Sequence, residues 1–204
     1  MQSSRKLVLE VQLSIDGFMA SPDGGTGWML WNWSPEWSWD EALQAYHTRL
    51  TQSADCILLS SQMAQEGFIA HWKSIAGQTG NPQQAFASHI VQTPKIVFSS
   101  RLTRATAIPG GWDNAEPENG DAVAAIRRLK KQPGGNILVY GGASFVSSLI
   151  ENYLIDEFHL LINPVAIGKG LSIFGSLGLP YPLQPVNAIP FPSGMVVLHY
   201  RLKL

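Results

Sequence analysis

The stretch NILVYGGASFVSSLIENYLIDEFHLL, Asn136 to Leu161, decides how this chain folds. Its apolar run from Ile137 to Val139 reads as a strand buried on both faces. Gly141-Gly142 turns the chain, and Phe145, Val146, Leu149 and Ile150 then recur at helical spacing. A second apolar strand begins near Glu157. The glycine pair has two readings. Lacking Cβ atoms at the start of a helix, it lets a pyrophosphate approach free N–H groups and the positive helix end. Equally, it is a plain strand-to-helix turn, and a lone Gly-Gly does not choose between them.

The same alternation runs through the rest of the chain. Lys6 to Ser14 (KLVLEVQLS) is a strand, followed by a Gly-rich loop. Ser34, Ser38 or Asp40 caps a helix through DEALQAYHTRLTQSA, and CILLS (Cys56 to Ser60) is the second strand. SQMAQEGFIAHW and NPQQAFASHIVQT predict helices, and KIVFS the next strand. After a Pro/Gly-rich loop, GDAVAAIRRLKKQ predicts a helix with Asp121 in its first turn and a basic last turn, as the macrodipole favours. DEFHLLINPVAIG and FPSGMVVLHYRLKL close the chain as two strands with no helix between them. The expected class is α/β: a mostly parallel central sheet, helices on both faces, and an antiparallel C-terminal edge. No repeat or linker interrupts residues 1–204, so a single domain is expected.

Composition narrows the chemistry. Of 204 residues, 45% are hydrophobic and 14% charged, which suits a generous globular interior. A net charge of -1 supplies no basic field for nucleic acid. Cys56 is the single cysteine, so neither an internal disulfide nor a Cys-based zinc site fits, and its apolar run marks it as a small buried hydrophobe. Glu10, Gln12 and Asp16 interrupt the N-terminal apolar run, which argues against a signal peptide. No stretch approaches the roughly 18 apolar residues of a membrane span, and a cytoplasmic protein is expected. GGASF lacks the closing glycine of a hydrolase elbow. AIGKGLS lacks the early glycine of a phosphate loop, with Asn163 in its place. The five histidines, His47, His71, His89, His159 and His199, show no metal-ligand spacing.

SIDGFMA after the first strand, and GGAS…LIENYLIDE…PVAIGKG later, resemble the dihydrofolate reductase fold. The likeness is greatest to the reductase domain of riboflavin biosynthesis and its stand-alone relatives, and it covers nearly the whole chain. The resemblance implies NADPH as cofactor and hydride transfer to a C=N or C=O of a small heteroaromatic substrate, pterin-like or a ribosylaminopyrimidine. By position, Gly141, Gly142, Ala143 and Ser144 match the pyrophosphate turn. Ser99, Ser100 and Arg101 match the loop that holds the 2′-phosphate, where hydroxyls and a guanidinium suit a dianion, and Arg104 adds charge. Ile15 to Ala20 match the loop over the nicotinamide, with Asp16 orienting substrate or shaping that loop.

The family's Gly-Arg-x-Thr after the second strand is replaced here by Ser60-Ser61-Gln62-Met63. Ser60, Ser61 and the helix N–H groups remain to meet phosphate, but one charge-assisted contact is lost, worth about 1.5–3 kcal/mol. Trp28 matches the family's loop tryptophan, and with Trp31 is expected to line the substrate slot. Glu36, Asp40 and Glu41 stand near the pocket carboxylate of folate reductases, Asp40 foremost, with a helix cap as its other role. The resemblance also implies a homodimer, with the C-terminal strand in need of cover. Two function classes follow: an NADPH-dependent reductase, or a degenerate relative that binds a nucleotide without turnover.

Overall fold

The computed structural model describes residues 5–30 and 39–203. Ser34, Glu36 and Ser38, together with Trp31, Trp33 and Trp37, lie outside the described residues. In chain order the elements are β1 (Leu7–Leu13), α1 (Glu41–Gln52), β2 (Ala54–Ser60), α2 (Ser61–Gln65), α3 (Phe68–Ala76), α4 (Gln84–Gln92) and β3 (Lys95–Phe98). They continue as β4 (Ala115–Glu118), α5 (Ala122–Lys130), β5 (Asn136–Tyr140), α6 (Ala143–Glu151), β6 (Glu157–Ile162), β7 (Leu183–Pro190) and β8 (Val196–Leu202). The chain forms two compact units, one of residues 1–6 and 47–142, the other of residues 7–46 and 143–204.

In the first unit the strands lie in the order β4-β3-β2-β5, and every pairing is parallel. Ile57, Leu58, Leu59, Ile137, Leu138 and Val139 are buried, the continuous apolar runs a parallel sheet requires. Phe86 and Trp72 meet edge to face at 4.8 Å beside them, with Ile90 and Ile126 completing the core. The helix expected over SQMAQEGFIAHW is two helices. Gly67, at φ +98°, breaks α2 from α3, a left-handed conformation that glycine adopts without steric cost. Asp121 caps α5 by accepting from the amides of Val123 and Ala124. Cys56 is buried in β2, and burial pushes its thiol pKa up, as befits a packing residue.

In the second unit the order is β1-β6-β8-β7, with β1 and β6 parallel and the two C-terminal pairings antiparallel. The N-terminal half of α1 and the Trp39 before it pack here: Trp39 and Leu43 join Leu161, Met195 and Val197, with Tyr46 and Phe191 alongside. Two strands escape the sequence reading. β4 lies in the Pro/Gly-rich loop, and β7 carries Pro185 and Pro190 with mostly exposed side chains. β7 corrects the expectation that the last strand is an uncovered edge: β8 is paired on both sides, by β6 and β7. The prolines withhold N–H groups, which is tolerated on an outer strand. β6 also stops earlier than DEFHLLINPVAIG suggests, because Asn163-Pro164 ends it at Ile162. Among the described residues no helix is long and apolar enough to cross a membrane.

Candidate functional site

Parallel pairing fixes where the expected cofactor residues of the first unit meet. Ser60 is registered with Phe98 and Leu59 with Tyr140, so β3, β2 and β5 finish side by side. Their carboxyl ends deliver three segments to one sheet edge: Ser99-Ser100-Arg101, Ser60-Ser61 and Gly141-Gly142. Neighbouring strands are about 4.8 Å apart, so the set spans roughly 10 Å. Ligands of open α/β sheets bind at such an edge.

Each segment has its own local cause. Ser60 caps α2, its Oγ accepting from the Met63 amide at 3.2 Å. Ser99 Oγ accepts from the amides of Arg101 and Leu102 at 3.1 and 2.9 Å, closing a tight turn. Asn119 braces that turn, donating to the carbonyls of Ser99 and Leu102, both at 2.7 Å. Both serine oxygens act only as acceptors in these contacts, so their O–H groups are left to donate. Ser100 and Arg101 are exposed, and Arg101 forms no ion pair among the described residues. Arg104, expected to add charge, is instead paired with Glu116. At Gly142 an added Cβ meets nothing closer than Gln62 Oε1 at 3.6 Å, and the backbone is not left-handed. The fold itself does not demand glycine there.

In the second unit β1 and β6 end together, Leu13 beside Ile162, and the loops that follow are laced to each other. The Ile15 amide donates to the Val165 carbonyl at 2.8 Å. Ala20 is buried and bridges Leu171, whose amide donates to the Ala20 carbonyl. Asp16 is the clasp: its carboxylate accepts from the Ser14 hydroxyl at 2.5 Å, the Gly168 amide at 2.7 Å and the Ile167 amide. The Ser14 hydroxyl above all holds the Asp16 carboxyl below the usual carboxylate range; desolvation opposes it, and the Gly168 and Ile167 amides add to the lowering. Gly170 sits under this bridge, where a Cβ would lie 2.2 Å from the Ala20 carbonyl oxygen.

Asp40 caps α1, Oδ1 accepting from the Leu43 amide at 3.0 Å, and its Oδ2 accepts from the Ser193 amide at 3.1 Å. Partial burial pushes its pKa up, but Ser193 and the surrounding amides outweigh it, so the Asp40 carboxyl is held below its usual range. Glu41, in the first helical turn, is exposed. Trp28 is half-buried, and its indole N–H has no partner among the described residues. Trp31 lies outside the described residues. Ala143 opens α6, and Ser144 in its first turn is exposed.

One cluster carries no metal-ligand spacing in the sequence. Antiparallel pairing of β6 with β8 sets His159 opposite His199 and Glu157 opposite Arg201. The imidazoles stack at 4.1 Å. Glu157 Oε2 lies 3.4 Å from His199 Nε2 and 3.8 Å from His159 Nε2, while Arg201 holds Oε1 at 3.1 Å. Tyr46, reaching in from α1, puts its hydroxyl 2.5 Å from His159 Nδ1. Burial, and then neighbouring His199, depress the His159 pKa to about 4 against the Glu157 charge, so this imidazole is neutral at pH 7. The legible signal was polar alternation in otherwise apolar strands, E-x-H in β6 and H-x-R in β8.

Mostly parallel strands, antiparallel C-terminal strands and intervening helices define a dihydrofolate reductase-like α/β fold. The chain belongs to the RibD C-terminal domain family, which matches residues 5–197. The uncharacterized protein YyaP of Bacillus subtilis (strain 168) is 26% identical over 198 residues, covering 97% of this chain and 95% of YyaP. The crystal structure of a "putative riboflavin biosynthesis protein" from Shewanella sp. PV-4 superposes with a TM-score of 0.68 at 19% identity, covering 98% of this chain and 99% of that one. A Thermotoga maritima diaminohydroxyphosphoribosylaminopyrimidine deaminase/5-amino-6-(5-phosphoribosylamino)uracil reductase gives 0.62 at 15% identity. That match covers 98% of this chain but 57% of the longer bifunctional protein.

Proposed function

We propose that residues 1–204 form one NADPH-dependent reductase domain acting on a small heteroaromatic substrate, pterin-like or a ribosylaminopyrimidine. The observation that carries this reading is the parallel register that gathers Ser99-Arg101, Ser60-Ser61 and Gly141-Gly142 at one edge. The residues present fit the cofactor's phosphates: the Cβ position at Gly142 is open, Arg101 is unengaged and the serine O–H groups are available to donate. Bound NADPH supplies a hydride to a C=N or C=O carbon.

The chain's residues bind and orient. Arg101, Ser99 and Ser100 receive the 2′-phosphate, and Gly141, Gly142, Ala143 and Ser144 bring amide N–H groups to the pyrophosphate. Ser60 and Ser61 add hydroxyl donors in place of the missing arginine and threonine. Ile15 to Ala20 form the loop over the nicotinamide, with Asp16 as a positioning residue that clasps it to Ile167 and Gly168. Asp40 positions the start of α1 and the Ser193 turn. Both carboxylates are ionised at neutral pH and hold no proton to give, so water is the proton source in this account. Trp28 and Trp31 line the ring slot, and the protein works as a cytoplasmic homodimer through the exposed β7 edge. A second reading, a nucleotide binder without turnover, is favoured by Ser61 and Met63 standing where the family keeps arginine and threonine.

The test is NADPH oxidation followed at 340 nm across a panel of reduced-state-accepting pterins and ribosylaminopyrimidines. Turnover of any of them supports the reductase. NADPH binding with no oxidation across the panel favours the second reading.

A further inference from the structure

We propose that Glu157, His159 and His199 form a binding site for a divalent d-block cation of zinc-like preference, held by three protein ligands with a fourth position open. The three donor atoms lie within 4.8 Å of one another on adjacent strands. Bonds of about 2.0–2.1 Å in a tetrahedral zinc site place neighbouring donors roughly 3.4 Å apart. Two of the three edges, 3.4 Å from Glu157 Oε2 to His199 Nε2 and 3.8 Å to His159 Nε2, match that spacing within a few tenths of an ångström, and the stacked imidazoles turn toward each other for both lone pairs to meet the ion. Two imidazoles and a carboxylate are the borderline N/O donor set that zinc accepts.

The surroundings of the set follow the pattern of ligating groups. His159 is 5% exposed, yet its Nε2 has no hydrogen-bond partner among the described residues, and it faces the carboxylate. A buried ring nitrogen left bare costs free energy unless something meets it. Its other nitrogen is engaged by the Tyr46 hydroxyl, which fixes ring orientation as outer partners of ligating histidines do. Arg201 Nε donates to Oε1 of Glu157, while Oε2 lies 3.4 Å from His199 Nε2. His199 keeps 15% of its side chain accessible and Arg201 52%, so an ion has a way in from the β8 side. These residues are distinct from the phosphate-facing segments, and the inference does not depend on the reductase reading.

The experiment uses the full chain, tag-free and stripped with chelator. Zn²⁺ alone is titrated by calorimetry, and Co²⁺ alone by visible absorption. One equivalent per chain is expected, with the intense d–d bands of tetrahedral cobalt. His159→Gln, His199→Gln and Glu157→Gln should each weaken Zn²⁺ binding at least a hundredfold, with folding of each variant checked by melting in chelator. Tyr46→Phe, which leaves the three ligands in place, should weaken it about ten- to a hundredfold. His71→Gln, outside the cluster, should change nothing. Well under one equivalent in the wild type, octahedral cobalt bands, or unchanged affinity in the folded His199→Gln variant would overturn the site and leave an internal ion network.

Discussion

Gly142 separates a cradle from a turn, because the fold has room for a side chain where the proposed ligand does not. In Gly142→Ala the new Cβ meets Gln62 Oε1 at 3.6 Å, an ordinary van der Waals contact, on a backbone that is not left-handed. Gly-to-Ala exchange at such a position trims the conformational freedom of the unfolded chain. The expected change is therefore small, within about 1 kcal/mol and of stabilising sign. Gly142→Val adds two methyl groups beyond that Cβ, and a loss of about 1–2 kcal/mol is the most that local repacking should cost. Binding responds differently. A Cβ in front of the amides displaces a phosphate oxygen from at least one charged hydrogen bond, worth about 1.5–3 kcal/mol, or roughly ten- to a hundredfold in Kd. Thermal melting of the apo protein, paired with calorimetric NADPH titration of the same samples, reads both quantities. A Gly142→Val protein that melts far lower, yet whose folded fraction binds NADPH as tightly as wild type, refutes the cradle.

Gly170→Ala should behave in the opposite way: its Cβ would lie 2.2 Å from the Ala20 carbonyl, so the bridge to Leu171 must open, at a cost of about 2 kcal/mol or more by thermal unfolding. Lys95 is buried, and burial above all, with the nearby Lys73 charge, lowers its pKa to about 8 from 10.5. Between those values the unfolded chain binds more protons than the folded one, so stability rises with pH across that window. The carbonyls of Val91 and Thr93 favour the charged ammonium and offset part of the effect. The wild type should gain at most about 2–3 kcal/mol on Lys95→Met between pH 8 and 10.5 in denaturant titrations, and parallel curves would show no such linkage.

Much of this fold was written locally. The apolar runs of β2 and β5 and the helical period of α6 identify themselves, and Asp40 caps the helix its position suggests, while Asp121, expected in the first turn of α5, stands one step earlier as its cap. β4 and β7 were hidden because their stability comes from neighbours: AEPE and LQPVNAIP carry prolines and polar residues, and only pairing makes them strands. The site divides the same way. Phosphate-facing turns follow strands within a residue or two, so their chemistry is local in sequence. The His159–His199 pair is separated by 40 positions and exists only through the β6–β8 register, which no spacing motif encodes. Asp16 shows the same limit, since its amide partners Ile167 and Gly168 arrive from the far end of the chain.

The central claim, a cofactor edge built from Arg101, the strand-end serines and the Gly142 turn, is tested most directly by titrating the wild-type chain with NADPH and NADH under identical conditions. The account predicts saturable binding of NADPH, at least tenfold tighter than NADH. It also predicts that Arg101→Ala removes most of that preference while leaving the melting temperature of the apo protein unchanged, because Arg101 is exposed and forms no ion pair among the described residues. Equal affinity of the wild type for the two cofactors, or binding of neither, would contradict it.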